Sequence, residues 1–146
     1  MGREEQEKSA EGSMENYRVS LQISLPGGGI EAETVTDMYL TTMLASDLDQ
    51  TAWNMCDCND ERQAREFTNP VLEEHSVQAV PDGNMEVRAV FRVSGSNPSF
   101  IEKVVGEYMN GFPDWMDGTI REYQSHEGVK LSLNQQPIDW EVQLSR

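Results

Sequence analysis

The stretch MEVRAVFRVSGSNPSFIEKVVGEYM, residues 85–109, decides how this chain folds. Met85, Val87, Ala89, Phe91 and Val93 alternate with Glu86, Arg88, Val90, Arg92 and Ser94. That period of two is what a half-buried strand requires, apolar on one face and mostly polar on the other. Gly95-Ser96-Asn97-Pro98 then interrupts the alternation. Asn97 is suited to cap a helix, and Pro98, with φ already near the helical value, is suited to open it. Phe100, Ile101, Val104, Val105, Tyr108 and Met109 recur behind it at helical spacing, and Gly111 stands where the helix would close. Strand, turn and amphipathic helix make one folding unit. It carries no catalytic chemistry.

Working outward, the N-terminal side offers a second clean strand. Tyr17, Val19, Leu21, Ile23 and Leu25 alternate with Arg18, Ser20, Gln22 and Ser24, and Pro26-Gly27-Gly28-Gly29 ends the run. A helix is expected from about Thr34, capped by Thr34 or Thr36, with Asp37 in its first turn. Its buried stripe would be Leu40, Met43, Leu44, Leu48 and Ala52. Periodicity is weak over 53–74, where Asn69-Pro70 is a breaker and 60–67 is read as a short helix. Residues 75–80 read as a strand, joined to the central one by the turn Pro81-Asp82-Gly83-Asn84. Further on, Phe112-Pro113-Asp114-Trp115 reads as a loop, 119–125 as a strand, His126-Glu127-Gly128 as a turn and 129–133 as another strand. After Gln135-Gln136-Pro137, Ile138, Trp140, Val142 and Leu144 alternate as the last strand.

The expected fold is therefore α+β: an antiparallel sheet with two main helices in β-α-β-β-α-β, ferredoxin-like order, plus C-terminal strands. Two packed β-α-β-β units fit the same pattern, although the halves share no evident identity. Residues 1–13 (MGREEQEKSAEGS) are aperiodic and read as a tag or disordered extension, leaving 14–146 as a single acidic α+β domain.

Composition narrows the classes. The chain has 146 residues, long enough to bury a core without disulfides or metal. No run of about 18 apolar residues marks a membrane span, and no apolar core near the N-terminus marks a secretory signal. Cys56 and Cys58 are the only cysteines, too close for an easy mutual disulfide, so a reducing, cytoplasmic setting is expected. The formal net charge is −15, from 26 acids against 11 bases. Such a chain is repelled by nucleic acid and anionic membrane, and is steered toward basic surfaces. High solubility or a salty cytoplasm would account for the same acidity.

Motifs for catalysis or cofactors are missing. The Gly27-Gly28-Gly29 loop lacks the spacing of a phosphate loop, and Glu31 and Glu33 follow it at once. Cys56-Asp57-Cys58 is half a zinc site at most, with only His75 and His126 elsewhere in the chain and neither at ligand spacing. Acids around it raise thiol pKa values and work against a Cys–His dyad. Ser94-Gly95-Ser96 is not a nucleophile elbow. No enzyme, cofactor or metal is expected.

The placement of acids says more. Between Glu31 and Glu74 eleven acids face only Arg62 and Arg65, a local net of −9. Asp37, Asp47, Asp49, Asp57, Asp60 and Glu61 are the expected contacts to a partner's arginines and lysines, through charge-assisted bonds. Trp53 and Trp115, each beside polar or acidic residues, are the expected aromatic anchors. In size, charge and lack of catalytic motifs the chain resembles small acidic inhibitors, encoded by phages and mobile elements, that act as nucleic-acid mimics. Over 85–145 it resembles, more faintly, GyrI-like effector-binding domains. The expected function is a non-enzymatic inhibitor of a basic, nucleic-acid-binding protein. A small-molecule effector-binding domain and an acidic secretion-type chaperone are the alternatives. A strand at a sheet edge would also allow a homodimer.

Overall fold

The computed structural model describes residues 15–27, 29–55, 66–128 and 137–146. Strand β1 (Glu15–Leu25) is followed by helices α1 (Ile30–Thr42) and α2 (Leu44–Met55), then by strands β2 (Thr68–Ala79) and β3 (Met85–Gly95). Helices α3 (Pro98–Asn110) and α4 (Phe112–Glu127) lead to strand β4 (Asp139–Ser145). The described residues thus form an α+β fold with one four-stranded antiparallel sheet, in the order β2-β3-β1-β4, and four helices.

The centre of the sheet is the β1–β3 pair, in register from Glu15↔Gly95 to Leu25↔Met85. Both strands alternate as their sequences require. Tyr17, Val19, Leu21, Ile23 and Leu25 are buried with Met85, Val87, Ala89, Phe91 and Val93 on the face that the helices cover. β2 is longer than the expected strand and begins at Thr68. It carries Pro70 and a positive-φ Asn69 beside register shifts in its pairing with β3, which an edge strand tolerates because one side makes no ladder. The expected C-terminal strand is present as β4, paired to β1 from Arg18↔Ser145 to Ser24↔Asp139.

Asn97 caps α3 as its sequence indicates, its Oδ1 accepting from Ser99 N–H at 3.0 Å. Elsewhere the helices correct the sequence reading. Residues 112–115 are not a loop and 119–125 are not a strand: both belong to α4. Phe112, Met116 and Ile120 are buried at a spacing of four, Pro113 sits in the first turn, and Gly128 closes the helix in the left-handed conformation. The β-branched and aromatic residues at Thr119, Ile120 and Tyr123 obscured that stripe, because packing overrides their weak strand preference. The first helix starts at Ile30, four residues before the expected cap, with Glu31 and Glu33 favourably placed in its first turn. It also breaks at Met43, so the single expected stripe is divided: Leu40, Leu44, Leu48 and Ala52 are buried while Met43 faces solvent. The helix expected over 60–67 and the strand over 129–133 lie almost wholly or wholly outside the described residues.

The elements repeat as β-α-α-β, not β-α-β-β. Each helix pair divides after a first helix of 13 residues. The buried positions of α1 (Val35, Thr36, Tyr39, Leu40) recur in α3 as Val104, Val105, Tyr108 and Met109.

Gly95 ends β3 beneath the chain that enters β2. A Cβ there would collide with the backbone oxygen of Glu66. Gly95→Ala should therefore cost about 1–3 kcal/mol through overpacking, read as a lower midpoint in urea denaturation.

Candidate functional site

The fold sorts its charges by layer. On the sheet face away from the helices, Arg18, Arg88 and Arg92 meet Glu73 and Glu74 of the edge strand. Arg92 Nε donates to Glu73 Oε2 at 2.8 Å, Arg88 lies 3.6 Å from Glu74, and Arg18 pairs with Glu74. The register opposes Arg18 to Arg92, so the ion pairs form diagonally, with the arginine side chains reaching along and across the strands to Glu73 and Glu74 of β2. The four strands together carry six acids against three arginines. The four helices carry eleven acids against Lys103 and Arg121, a net of −9. Arg121 is engaged by Asp117 at 2.8 Å. The helical layer therefore carries most of the net negative charge of the described elements, with Asp47 alone among its acids turned into the core.

Beneath that layer a buried polar chain joins the halves. Tyr39 Oη donates to Asp47 Oδ2 at 2.8 Å and lies 2.6 Å from Tyr108 Oη. With Tyr39's one proton committed to the carboxylate, Tyr108 donates to Tyr39. Burial first, then the neighbouring Tyr108 and Asp47 oxygens, push the Tyr39 phenol far above its ordinary range. Burial does the same to Tyr108. Both hydroxyls therefore remain donors at any ordinary pH. Burial also raises the Asp47 carboxyl, opposed by the Tyr39 hydrogen bond.

An open cleft of about 500 Å³ lies where three helices meet. Thr51, Asn54 and Met55 of α2 form one side, Glu107 and Asn110 of α3 another, and Asp114 and Trp115 of α4 the third. Trp115 stacks on Tyr108 at 18° between planes and 6.4 Å between centroids, so the buried tyrosine chain orients the cleft's aromatic wall. Among the described residues no group of three or more His, Cys, Asp or Glu is placed to hold a metal ion. No described helix is long and apolar enough to cross a membrane.

Among the described residues, those singled out from sequence have different surroundings. Asp37, half-exposed on α1, has His75 Nδ1 2.8 Å from its Oδ1, which ties α1 to β2. Asp47 is turned inward and 6% exposed, so it holds the tyrosines rather than a partner. Asp49 is half-buried, and that burial raises its carboxyl. Asp57, Asp60 and Glu61 lie outside the described residues. Trp53 is 60% exposed on α2, whereas Trp115 packs against the core and lines the cleft. Sequence reasoning missed Glu107 and Asp114 as cleft residues, since each resembles an ordinary solvated helix acid until the helix ends are brought together. Compared with known proteins, the chain matches no protein-family model, no curated protein and no solved structure.

Tyr39→Phe should cost about 1–3 kcal/mol, because it leaves the Tyr108 hydroxyl and the Asp47 carboxylate buried without their shared partner; chemical denaturation reads this directly. The Asp47 carboxyl holds its proton more tightly folded than unfolded. Its contribution is therefore fully present below the ordinary aspartate pKa of about 3.9 and is lost as pH rises through the raised value. Wild type should gain stability relative to Asp47→Asn as pH falls from neutrality to about 4. Urea midpoints of both proteins across that range test the sign.

Proposed function

We infer that the protein is a non-enzymatic interaction module whose acidic helical layer occupies a basic, nucleic-acid-binding surface of another protein, as a nucleic-acid mimic. One observation carries the reading: the arginines of the sheet are matched by glutamates, while the helices keep a net charge of −9. Acidity acquired for solubility alone has no reason to favour one layer, and here the helices carry three times the net charge of the strands. A surface that competes with phosphates needs unpaired carboxylates on a rigid support, and helices packed on a sheet supply it. Exposed Trp53, among Asp49, Gln50 and Asn54 on α2, is suited to anchor such a contact. The strand order β2-β3-β1-β4, with one helix pair in each crossover, supports reading the scaffold as a ferredoxin-like split βαβ in which each helix is broken once. The module would act in the cytoplasm without cofactor.

The test reverses charge on the helices and leaves the core alone. Glu31, Glu102, Glu122 and Glu127 are exposed helix acids; changing all four to lysine brings the helical layer close to neutrality. Immobilised wild type should retain a basic nucleic-acid-binding protein from its host lysate, released by rising salt and displaced by duplex DNA. The quadruple variant, folded by circular dichroism, should retain none. Equal retention by the variant removes the helical layer from the interaction.

A further inference from the structure

The cleft between α2, α3 and α4 carries a more specific recognition chemistry than the layer around it. Its charged lining groups, Glu107 and Asp114, are acceptors only. Among the described residues, neither carboxylate lies within ion-pair distance of a lysine, arginine or histidine. Glu107 stands in the last turn of α3, where the helix dipole is already negative, and that turn carries no basic residue. Helix α2 also ends at the cleft, at Met55, again with no base in its last turn. Carboxylates at helix N-termini are stabilised by the dipole, so Asp114 in the first turn of α4 is at home. Glu107 is not. Two helix C-termini and a misplaced carboxylate converge on one space. Among the described residues their offsets are the N-terminal end of α4, which Asp114 already occupies, and Lys103 one turn before Glu107, which makes no ion pair with it.

The aromatic wall narrows the kind of cation. Trp115 is held by its stacking on Tyr108, whose hydroxyl is tied to Tyr39. Gly111 lies against the indole edge, 3.4 Å from Trp115 Nε1 at the position of a Cβ. A small hard metal ion would want a shell of oxygen ligands and would gain little from an indole. A flat or alkylated cation uses both the π surface and the carboxylates. We propose that this cleft binds one organic cation, a guanidinium or alkylammonium group, with Glu107 and Asp114 accepting its hydrogen bonds and Trp115 flanking it. The inference rests on reading the helical layer as a surface for a basic partner, which would supply the group as an arginine or lysine side chain. A free amine offers the same chemistry.

The test follows the three tryptophan indole N–H signals of the full chain by NMR at low salt. Agmatine is the free-amine probe, and a short end-blocked peptide containing one arginine is the side-chain probe. The Trp115 signal should move saturably with one equivalent bound, while exposed Trp53, outside the cleft, stays in place. The double change Glu107→Gln and Asp114→Asn should weaken binding at least tenfold, and the four-lysine variant described above should still saturate. Tighter binding of the peptide assigns the site to a partner's side chain, and tighter binding of agmatine to a free amine. An unmoved Trp115 with both probes overturns the proposal, as does equal affinity in a folded double variant. The wild-type shift decides the matter even if the double variant loses structure. Lysate capture with an unmoved Trp115 would leave the helical-layer reading standing and remove the cleft. A saturable Trp115 shift with no captured basic protein would do the reverse.

Discussion

Everything in this molecule hangs on the register between β1 and β3. The two strands pair without a break from Glu15↔Gly95 to Leu25↔Met85, and ten apolar side chains point to one face as a result. A slip of one residue would turn that whole set toward solvent, so the hydrophobic pattern excludes every odd shift, and the turn and helix connections at the strand ends fix the rest. Once the central pair is set, β2 and β4 can only add to its flanks, and the helices that connect the strands must cover the apolar face. The opposite face is left to Arg18, Arg88, Arg92 and their glutamate partners.

Covering that face from two directions creates the second constraint. Helices α1 and α3 meet over the sheet with equivalent tyrosines, and two phenols in a dry core must satisfy each other. Tyr39 and Tyr108 do so at 2.6 Å, and Asp47 supplies the remaining acceptor. A buried carboxylate is a poor source of stability in itself. Its effect here is to make one arrangement of the helices satisfy both phenols. The α4 half has Trp115 where that chain ends, stacked on Tyr108. A structural hydrogen-bond chain and the wall of the surface cleft are thus parts of one assembly.

The charge distribution follows from the same architecture. Long side chains on one sheet face can reach diagonal neighbours, so that face can neutralise part of its own charge, as Arg18, Arg88 and Arg92 do with Glu73 and Glu74. Helices packed side by side expose their outer faces to water, where like charges are separated and screened. Net acidity can collect there at little cost to folding. That is why −9 resides on four helices whose buried stripes remain almost wholly apolar.

Much of the fold was legible in the residues alone. Alternation in β1, β3 and β4, the Asn97-Pro98 helix start and the turn before β3 are local signals, and each depends on a few neighbouring side chains. The acidity, the absence of a nucleophile motif and the absence of metal-ligand spacing were legible for the same reason. Where packing decides, the pattern misled: β-branched and aromatic residues made α4 resemble loop and strand, and the break at Met43 left no mark in the hydrophobic stripe. The site was less legible still. Asp47 reads as a surface acid until Tyr39 and Tyr108, 69 positions apart, are brought together around it. Glu107 and Asp114 read as solvated until three helix ends converge. The sequence by itself determined β1, β3, β4 and α3, their inward faces and the sign of the surface, because those follow from side-chain period and composition. Only the tertiary structure decided which acids are buried, which are paired and which are left facing a cleft, because a carboxylate's environment is set by residues far from it along the chain.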